Sequence, residues 1–368
     1  MGDLYIGLMS GTSMDGVDAA LVRFGDRSVE VLATLACPYP EDVRVALRGA
    51  MHAPGIRSAT DVPDLHLRIG ECFRQAASAL LTSSGVDRDD VIAIGSHGQT
   101  IRHEPSADEP FSLQIGDAGV IAEGLGITTV FDFRSADIAL GGEGAPLAPA
   151  FHEWLFRQPG ETRLVVNIGG ISNITVLPGD DTPTTGYDTG PGNTLLDAWV
   201  GKHRGEPYDR NGDWSASGTV DSELLARLLD DPYFAAAPPK STGFEYFNLA
   251  WLESHLTGDV TDADIQATLC ALTAESIATA IRAASPTGCD VLLCGGGVHN
   301  ADLVRRIGSA LPGYDVVTTA AYGLDPDWIE AVAFAWLAMQ HVEGRPGNLP
   351  AVTGARAPAV LGEIRHPG

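Results

Sequence analysis

Two stretches of this chain are built to one plan. Residues 4–22 and 163–177 each read as an apolar strand, a polar glycine-bearing turn and a second apolar strand. The first turn is Ser10-Gly11-Thr12-Ser13-Met14-Asp15-Gly16. The second is centred on Gly169-Gly170 and flanked by Asn167, Ser172 and Asn173. Residue by residue the two agree only weakly. As a pattern, one near the start of each half, they point to two domains of similar topology, and 368 residues are too many for one ordinary core.

A plain hairpin turn needs only about two residues of the Asn-Gly or Asp-Gly kind. The first turn carries hydroxyls, two glycines and a carboxylate, with Asp18 just beyond. Gly11 and Gly16 let backbone N–H groups approach phosphate oxygens, and the hydroxyls of Ser10, Thr12 and Ser13 can donate to the same oxygens. Asp15 or Asp18 can hold Mg²⁺ directly or through water. The run Ser10 to Asp18, including Met14 and Val17, is therefore a candidate nucleotide-facing loop. The competing reading is a polar turn on an edge hairpin.

Charge narrows the partners. A formal net charge of −25, spread along the chain, excludes nucleic acid and anionic membrane as partners, since both require a basic surface. An anionic substrate must be met by local positive groups or backbone N–H donors. The five cysteines are irregularly spaced with no Cys-x-x-Cys pair, which reads as free thiols in a reducing compartment without structural zinc. The first residues lack the basic and apolar regions of a signal peptide, and no apolar run approaches the ~18 residues of a membrane span. The expectation is a cytoplasmic protein. A homodimer is compatible with the sequence but not indicated by it.

Strands alternate with helices along the chain, giving an α/β class with mixed sheets. Helical patterns fall at 41–51, 65–84, 149–156, 195–201, 222–229, 263–284, 301–310 and 327–340. A buried strand at 91–95 runs into Ser96-His97-Gly98-Gln99-Thr100, read as a loop. Residues 134–144 also read as a loop, and the Pro- and Gly-rich stretch from Glu343 reads as a surface tail.

No P-loop, dinucleotide fingerprint, zincin or nucleophile-elbow motif is present. Chemistry must lie in the dispersed polar loops. Asp188, in Gly186-Tyr187-Asp188-Thr189-Gly190-Pro191-Gly192-Asn193, is placed to act as a general base on a hydroxyl or water, or else to serve as an Asx turn or helix cap. His97 and Gln99 follow a buried strand, where loops build sites. Arg134 can grip a carboxylate or phosphate in two-pronged fashion, or pair with Asp132 or Asp137. Gly295-Gly296-Gly297 after a buried strand exceeds what packing explains and suits the close approach of a base and ribose. Glu330 opens an apolar helix, as a dipole contact or an acceptor for a sugar hydroxyl.

In this order the loops resemble the actin-like sugar kinase and heat-shock ATPase superfamily. Within it the chain is similar to the anhydro-N-acetylmuramic acid kinase family. The resemblance rests on residues 7–19, Ser96 to Thr100, Phe131 to Arg134 with Gly141-Gly142, Asn167 to Ile174, Asp188 to Asn193, and Gly295 to Gly297. It implies a two-domain actin-like (ribonuclease H-like) α/β fold around a central cleft. Domain I would be 1–132 plus 328–368, and domain II 133–327. The implied reaction opens the 1,6-anhydro ring of anhydro-N-acetylmuramic acid with water and phosphorylates O6 from ATP, within peptidoglycan recycling. Asp188 would be the base. The first hairpin, the turn of Asn167, Gly169 and Gly170, and Gly295 to Gly297 would hold ATP with Mg²⁺. His97, Gln99, Arg134 and Glu330 would hold the sugar. The wider superfamily usually has an Asp where Met9 stands here, which passes the metal role to Asp15 or Asp18. The rival reading on the same scaffold is a kinase of an ordinary sugar hydroxyl, with no water added. A non-enzymatic reading is an ATP-driven binding module.

Overall fold

The computed structural model describes residues 3–11 and 13–368. In chain order the strands and α-helices are β1 (Leu4–Ser10), β2 (Gly16–Gly25), β3 (Ser28–Pro38), α1 (Glu41–His52), α2 (Pro63–Ser84), β4 (Val91–Glu104), β5 (Phe111–Ile115), α3 (Ala118–Leu125), β6 (Thr129–Phe131), α4 (Ser135–Ala139) and α5 (Ala148–Phe156). There follow β7 (Arg163–Ile168), β8 (Ile171–Leu177), β9 (Thr185–Pro191), α6 (Thr194–Arg204), α7 (Asp213–Ser217), α8 (Ser222–Leu229), α9 (Pro232–Ala235), α10 (Leu249–His255) and α11 (Asp262–Ala284). The chain ends with β10 (Asp290–Cys294), α12 (Ala301–Ala310), β11 (Asp315–Thr318), α13 (Ile329–Val342), α14 (Pro350–Thr353) and β12 (Glu363–Arg365).

These elements form two compact units. One holds the residues up to Leu155 together with Trp328–Gly368; the other is Phe156–Asp327. The first boundary thus lies well beyond the one expected after Asp132. The cause is packing: residues 133–155 are tied to the C-terminal stretch. The Phe133 ring lies 5.4 Å from Phe334 and Phe151 6.0 Å from Trp336. The buried Asp137 carboxylate accepts hydrogen bonds from Asn348 (2.6 Å) and Thr353 (2.7 Å).

Each unit has its own sheet, and the two share one strand order. In the first, the order β3-β2-β1-β4-β6 has an antiparallel meander through β1, β2 and β3, with β4 and β6 parallel to β1; β12 and β5 extend it. In the second, β9-β8-β7-β10-β11 repeats the arrangement: an antiparallel meander, then β10 and β11 parallel to β7. This doubled topology is the actin-like fold. Sequence order puts the two glycine-bearing hairpins, β1–β2 and β7–β8, at equivalent places.

Strand alternation assigns the faces. On β1, Leu4, Ile6 and Leu8 enter the core shared with α1 and α2. Tyr5, Gly7 and Met9 face the other way, toward α13, which is buried on all sides from Ile329 to Gln340 except at Glu330. Gly7 and Gly95 let this helix lie directly on the sheet. A Cβ at either would collide with the α13 backbone, at Ala331 and Phe334 respectively. In the second unit α11 plays the central part. Thr261 caps it by accepting from the Asp264 N–H, and it buries residues along most of its length in the core that also holds side chains of β7, β8 and β10.

Several local expectations change. The strand at 91–95 continues to Glu104, so His97 and Gln99 lie within β4 rather than in a loop. Asp188 sits in β9, which was read as a loop. Residues 134–144 hold α4, with Arg134 immediately before its first residue. The tail is anchored: β12 adds antiparallel to β6. In each case long-range strand or helix packing overrides local turn chemistry.

Candidate functional site

In the first unit three of the four expected sugar-binding residues, His97, Arg134 and Glu330, come together on the α13 side of the sheet, whereas Gln99 is engaged by the first hairpin turn. Gly95 and His97 share that face of β4, and the His97 ring lies 4.6 Å from Phe334 of α13. His97 Nε2 is 2.9 Å from Nη2 of Arg134, whose Nη1 donates to the Gly144 carbonyl at 2.7 Å. A guanidinium only donates, so Nε2 accepts and the ring proton resides on Nδ1. Burial, reinforced by the Arg134 charge, pushes His97 down to about 3. His97 is therefore a neutral, fixed ring over the physiological range rather than a proton shuttle. Burial lowers Arg134 to about 10, against the pull of Glu330, Asp132 and Asp137, and it remains a cation.

Glu330 stands in the first turn of α13, solvent-exposed at its surface yet crowded by protein. That crowding, and the Asp18 carboxylate, raise its pKa while Arg134 opposes the rise. Asp18 reaches this place by register. It pairs with Met9 across β1–β2, which sets it on the α13 face. Asp15 lies instead in the exposed turn, its carbonyl accepting from the Tyr39 N–H at 2.9 Å.

Ser10, at the end of β1, stands opposite Gln99 within β4. The Ser10 hydroxyl is 2.7 Å from both the Gln99 Oε1 and the Gly16 carbonyl, and Gln99 Nε2 donates to the Gly11 carbonyl at 3.1 Å. Gln99, fully buried, thereby shapes the first hairpin turn. A cavity of about 460 Å³ opens beside it, walled by Ser96, His97, Gln114, Asp117, Asp132 and Arg365. The Ser96 hydroxyl is buried there without a hydrogen-bond partner among the described residues.

The first turn divides under the structure. Gly11 has open space about it, and Ser13 is exposed. Met14 takes a left-handed φ of 55°. Gly16 is a glycine for packing: a Cβ would strike the Cys37 carbonyl across β2–β3. The Val17 side chain belongs to the core, 1% exposed. Thr12 lies outside the described residues.

In the second unit β7 and β10 pair in parallel, with Asn167 opposite Cys294. That register sets the Gly169-Gly170 turn beside Gly295 to Gly297, at the carboxyl edge of the parallel strands where α/β sheets bind ligands. The N–H groups of Asn193 and Gly192 donate to the Gly169 and Gly170 carbonyls, both at 2.8 Å, and Thr194 N–H also reaches Gly170. In a trans peptide N–H points opposite to C=O. The amides of Gly170 and Ile171 are thereby turned away from α6, as an anion cradle requires. The three later glycines need two explanations rather than one. Gly295 (φ 79°) and Gly297 are demanded by packing, since a Cβ would strike Asn167 and Ile168 respectively. Only Gly296 faces open space.

Asp188 is half-buried on β9. Its Oδ2 accepts from the Ser241 hydroxyl and the Thr242 N–H, both at 3.0 Å. Its own N–H donates to the Lys240 carbonyl at 3.1 Å, and its carbonyl accepts from the Tyr233 hydroxyl at 2.7 Å. Sequence reasoning passed over Ser241 and Thr242. The available signal was Pro238-Pro239-Lys240-Ser241-Thr242-Gly243, a turn-rich run inside a long aperiodic gap between helices.

Among the described residues no helix is long and apolar enough to cross a membrane. The sequence matches the family described as anhydro-N-acetylmuramic acid kinase over residues 3–367. An anhydro-N-acetylmuramic acid kinase of Shewanella halifaxensis is 50% identical over 365 residues, spanning 99% of this chain and 98% of its own. One from Shewanella loihica is 51% identical, spanning 98% of each. Among solved structures, xylulose kinase from Rhodospirillum rubrum aligns over 99% of this chain and 94% of its own, at 13% identity and a TM-score of 0.46.

Proposed function

The chain belongs to the anhydro-N-acetylmuramic acid kinase family and is a sugar kinase that uses ATP, and from that premise we propose that it couples ring hydrolysis to phosphoryl transfer. Water adds to C1 of the 1,6-anhydro sugar and its proton passes to the Asp188 carboxylate. The C1–O6 bond breaks with its electron pair going to O6. O6 then attacks the γ-phosphorus of ATP and ADP leaves, giving N-acetylmuramic acid 6-phosphate. The setting is cytoplasmic recycling of peptidoglycan fragments.

The observation that carries this reading is the Asp188 carboxylate, oriented on one oxygen by two neutral donors rather than capping the helix that follows it. A general base must be held in place while staying ionised, and neutral donors achieve both. Arg134 and neutral His97 supply a donor and a fixed ring for the sugar, with the lactyl carboxylate met by Arg134. Glu330 accepts from a sugar hydroxyl. Ser96, unpartnered in the cavity wall, has a hydroxyl to offer a polar substituent. The amides of Gly170 and Ile171 and the open backbone at Gly11 receive phosphate oxygens, and Gly296 leaves room for the nucleoside.

Magnesium takes oxygen ligands and usually keeps water and phosphate with only one or two carboxylates. Among the described residues no group of three or more His, Cys, Asp or Glu side chains converges to hold a metal. Asp18 suits a shared site, half-buried and on the face that carries Glu330, whereas Asp15 is exposed in the turn. Asp18 is the metal carboxylate in this proposal, and bound magnesium would neutralise charge on the transferring phosphoryl group.

The test is turnover in ¹⁸O-water, with N-acetylmuramic acid 6-phosphate incubated in parallel to correct for exchange at the anomeric carbon. Label at C1 above that control is expected. Unlabelled product formed at full rate excludes the hydrolytic step and leaves an ordinary hydroxyl kinase.

A further inference from the structure

The segment Lys240-Ser241-Thr242 lies far from Asp188 in sequence, yet it meets that residue at several points. Asp188 N–H donates to the Lys240 carbonyl, and Oδ2 accepts from Ser241 Oγ and Thr242 N–H. From the other side the Tyr233 hydroxyl donates to the Asp188 carbonyl. The register of β8 against β9 shifts between Ser172 and Asn173, beside Asp188. β9 is the edge strand of its sheet, so amides on its outer side, such as that of Asp188, bond outside the ladder.

Lys240 brings a cation into the segment that meets Asp188, but its ammonium is directed elsewhere. Nζ donates to the Tyr233 and Phe234 carbonyls at 3.0 and 3.3 Å and lies 4.6 Å from the Tyr233 ring centroid. The lysine thus fastens the segment to α9. The donors that reach Asp188 Oδ2 from this segment are a neutral hydroxyl and a neutral amide. A carboxylate paired with an ammonium is a weaker base and is shielded from an incoming water. A hydroxyl and an amide on one oxygen fix the carboxylate's direction and favour its charged form.

We propose that Ser241 is a positioning residue for Asp188: its hydroxyl, acting with the Thr242 amide, aims the carboxylate at the nucleophile and favours its ionised form. Lys240 anchors the segment that presents both donors. The inference rests on the reading of Asp188 as the base, and its test separates the two.

Ser241 is exposed, so Ser241→Ala leaves the fold intact. Losing a donor to the charged form raises the pKa of a carboxylate. The acid limb of the kcat/KM profile therefore moves to higher pH by about half a unit or more. Misaiming lowers kcat by about 10- to 100-fold, with KM for ATP unchanged. Ser241→Thr keeps the hydroxyl and restores most of both. Asp188→Asn is measured beside them. If Asp188→Asn is inactive while Ser241→Ala retains the wild-type kcat and acid limb, the positioning role is overturned and the base survives. If Asp188→Asn retains turnover, the base reading falls and this one with it. A drop in kcat for Ser241→Ala without any shift of the acid limb, not restored by Ser241→Thr, also overturns the proposal.

Discussion

In the seven-stranded sheet three of the four expected binding groups are drawn inward while Glu330 stays exposed at the start of α13: His97 and Gln99 are interior to β4, 5% and 0% exposed, and Arg134 is tied to His97 and to a backbone carbonyl. In the five-stranded sheet Asp188 is half-buried and is steered by an exposed serine and a backbone amide. The strand order is the same, so topology does not make the difference. Chemistry does. A binding group gains from burial, which fixes its orientation and strengthens each polar contact. A base loses from it, because desolvation disfavours the ionised carboxylate while neutral donors preserve it.

The hairpins repeat the contrast. The β1–β2 turn is shaped by side chains, through Ser10, Gln99 and the Gly11 carbonyl. The β7–β8 turn is shaped by backbone, with the start of α6 holding the Gly169 and Gly170 carbonyls. Side-chain support permits a long turn with room for several polar residues. Backbone support demands glycine where the chains touch, as at Gly192, whose Cβ would strike the Gly169 carbonyl.

The sharpest way to break this comparison is Arg134→Met. If the first unit binds through a preset charged donor, KM for the sugar rises about 10- to 100-fold, the worth of a charge-assisted hydrogen bond, while KM for ATP stays put. Equal rises in both, read from steady-state ADP release, would place Arg134 elsewhere in the chemistry. Next comes the glycine pair of the second unit. Gly297→Ala forces a Cβ into Ile168 and costs about 1–3 kcal/mol in urea unfolding. Gly296→Ala, into open space, changes stability by less than about 0.5 kcal/mol and weakens ATP instead. Equal stabilities for the two variants would remove packing as the reason for Gly297.

A smaller effect concerns acid. His97 and His152 are buried and held neutral down to about 3, whereas an unfolded histidine titrates near 6.5. Below about pH 6.5 the unfolded chain binds protons that the folded chain refuses, so stability falls as pH drops from there toward 3. The loss is about 1 kcal/mol per histidine by pH 5.5. His97→Gln flattens that slope, as denaturant titrations at pH 7, 6 and 5 will show. An unchanged slope means that His97 charges in place.

Much of this was legible beforehand because it is written in short-range pattern. The two strand–turn–strand segments announced the doubled sheet, and the long apolar run near the C-terminus announced α13. What escaped was whatever depends on a distant partner. His97 and Gln99 looked like loop residues because β4 is continued by pairing with β5 and β1, which no local signal records. Gly295 to Gly297 looked like a ligand surface because Asn167 and Ile168, which dictate Gly295 and Gly297, are remote in sequence. Ser241 and Thr242 lie in a stretch with no periodicity at all, and their meaning arises only from contact with β9.

The sequence by itself determined the α/β class, the pair of glycine-bearing hairpins and the polar residues from which a site is drawn, because strand and turn propensities act over a few residues. Tertiary structure alone decided which carboxylate faces the α13 side, which glycines serve packing, and what steers Asp188. Those outcomes depend on register, where one step along a strand turns a side chain to the opposite face, and on the approach of chain segments remote in sequence.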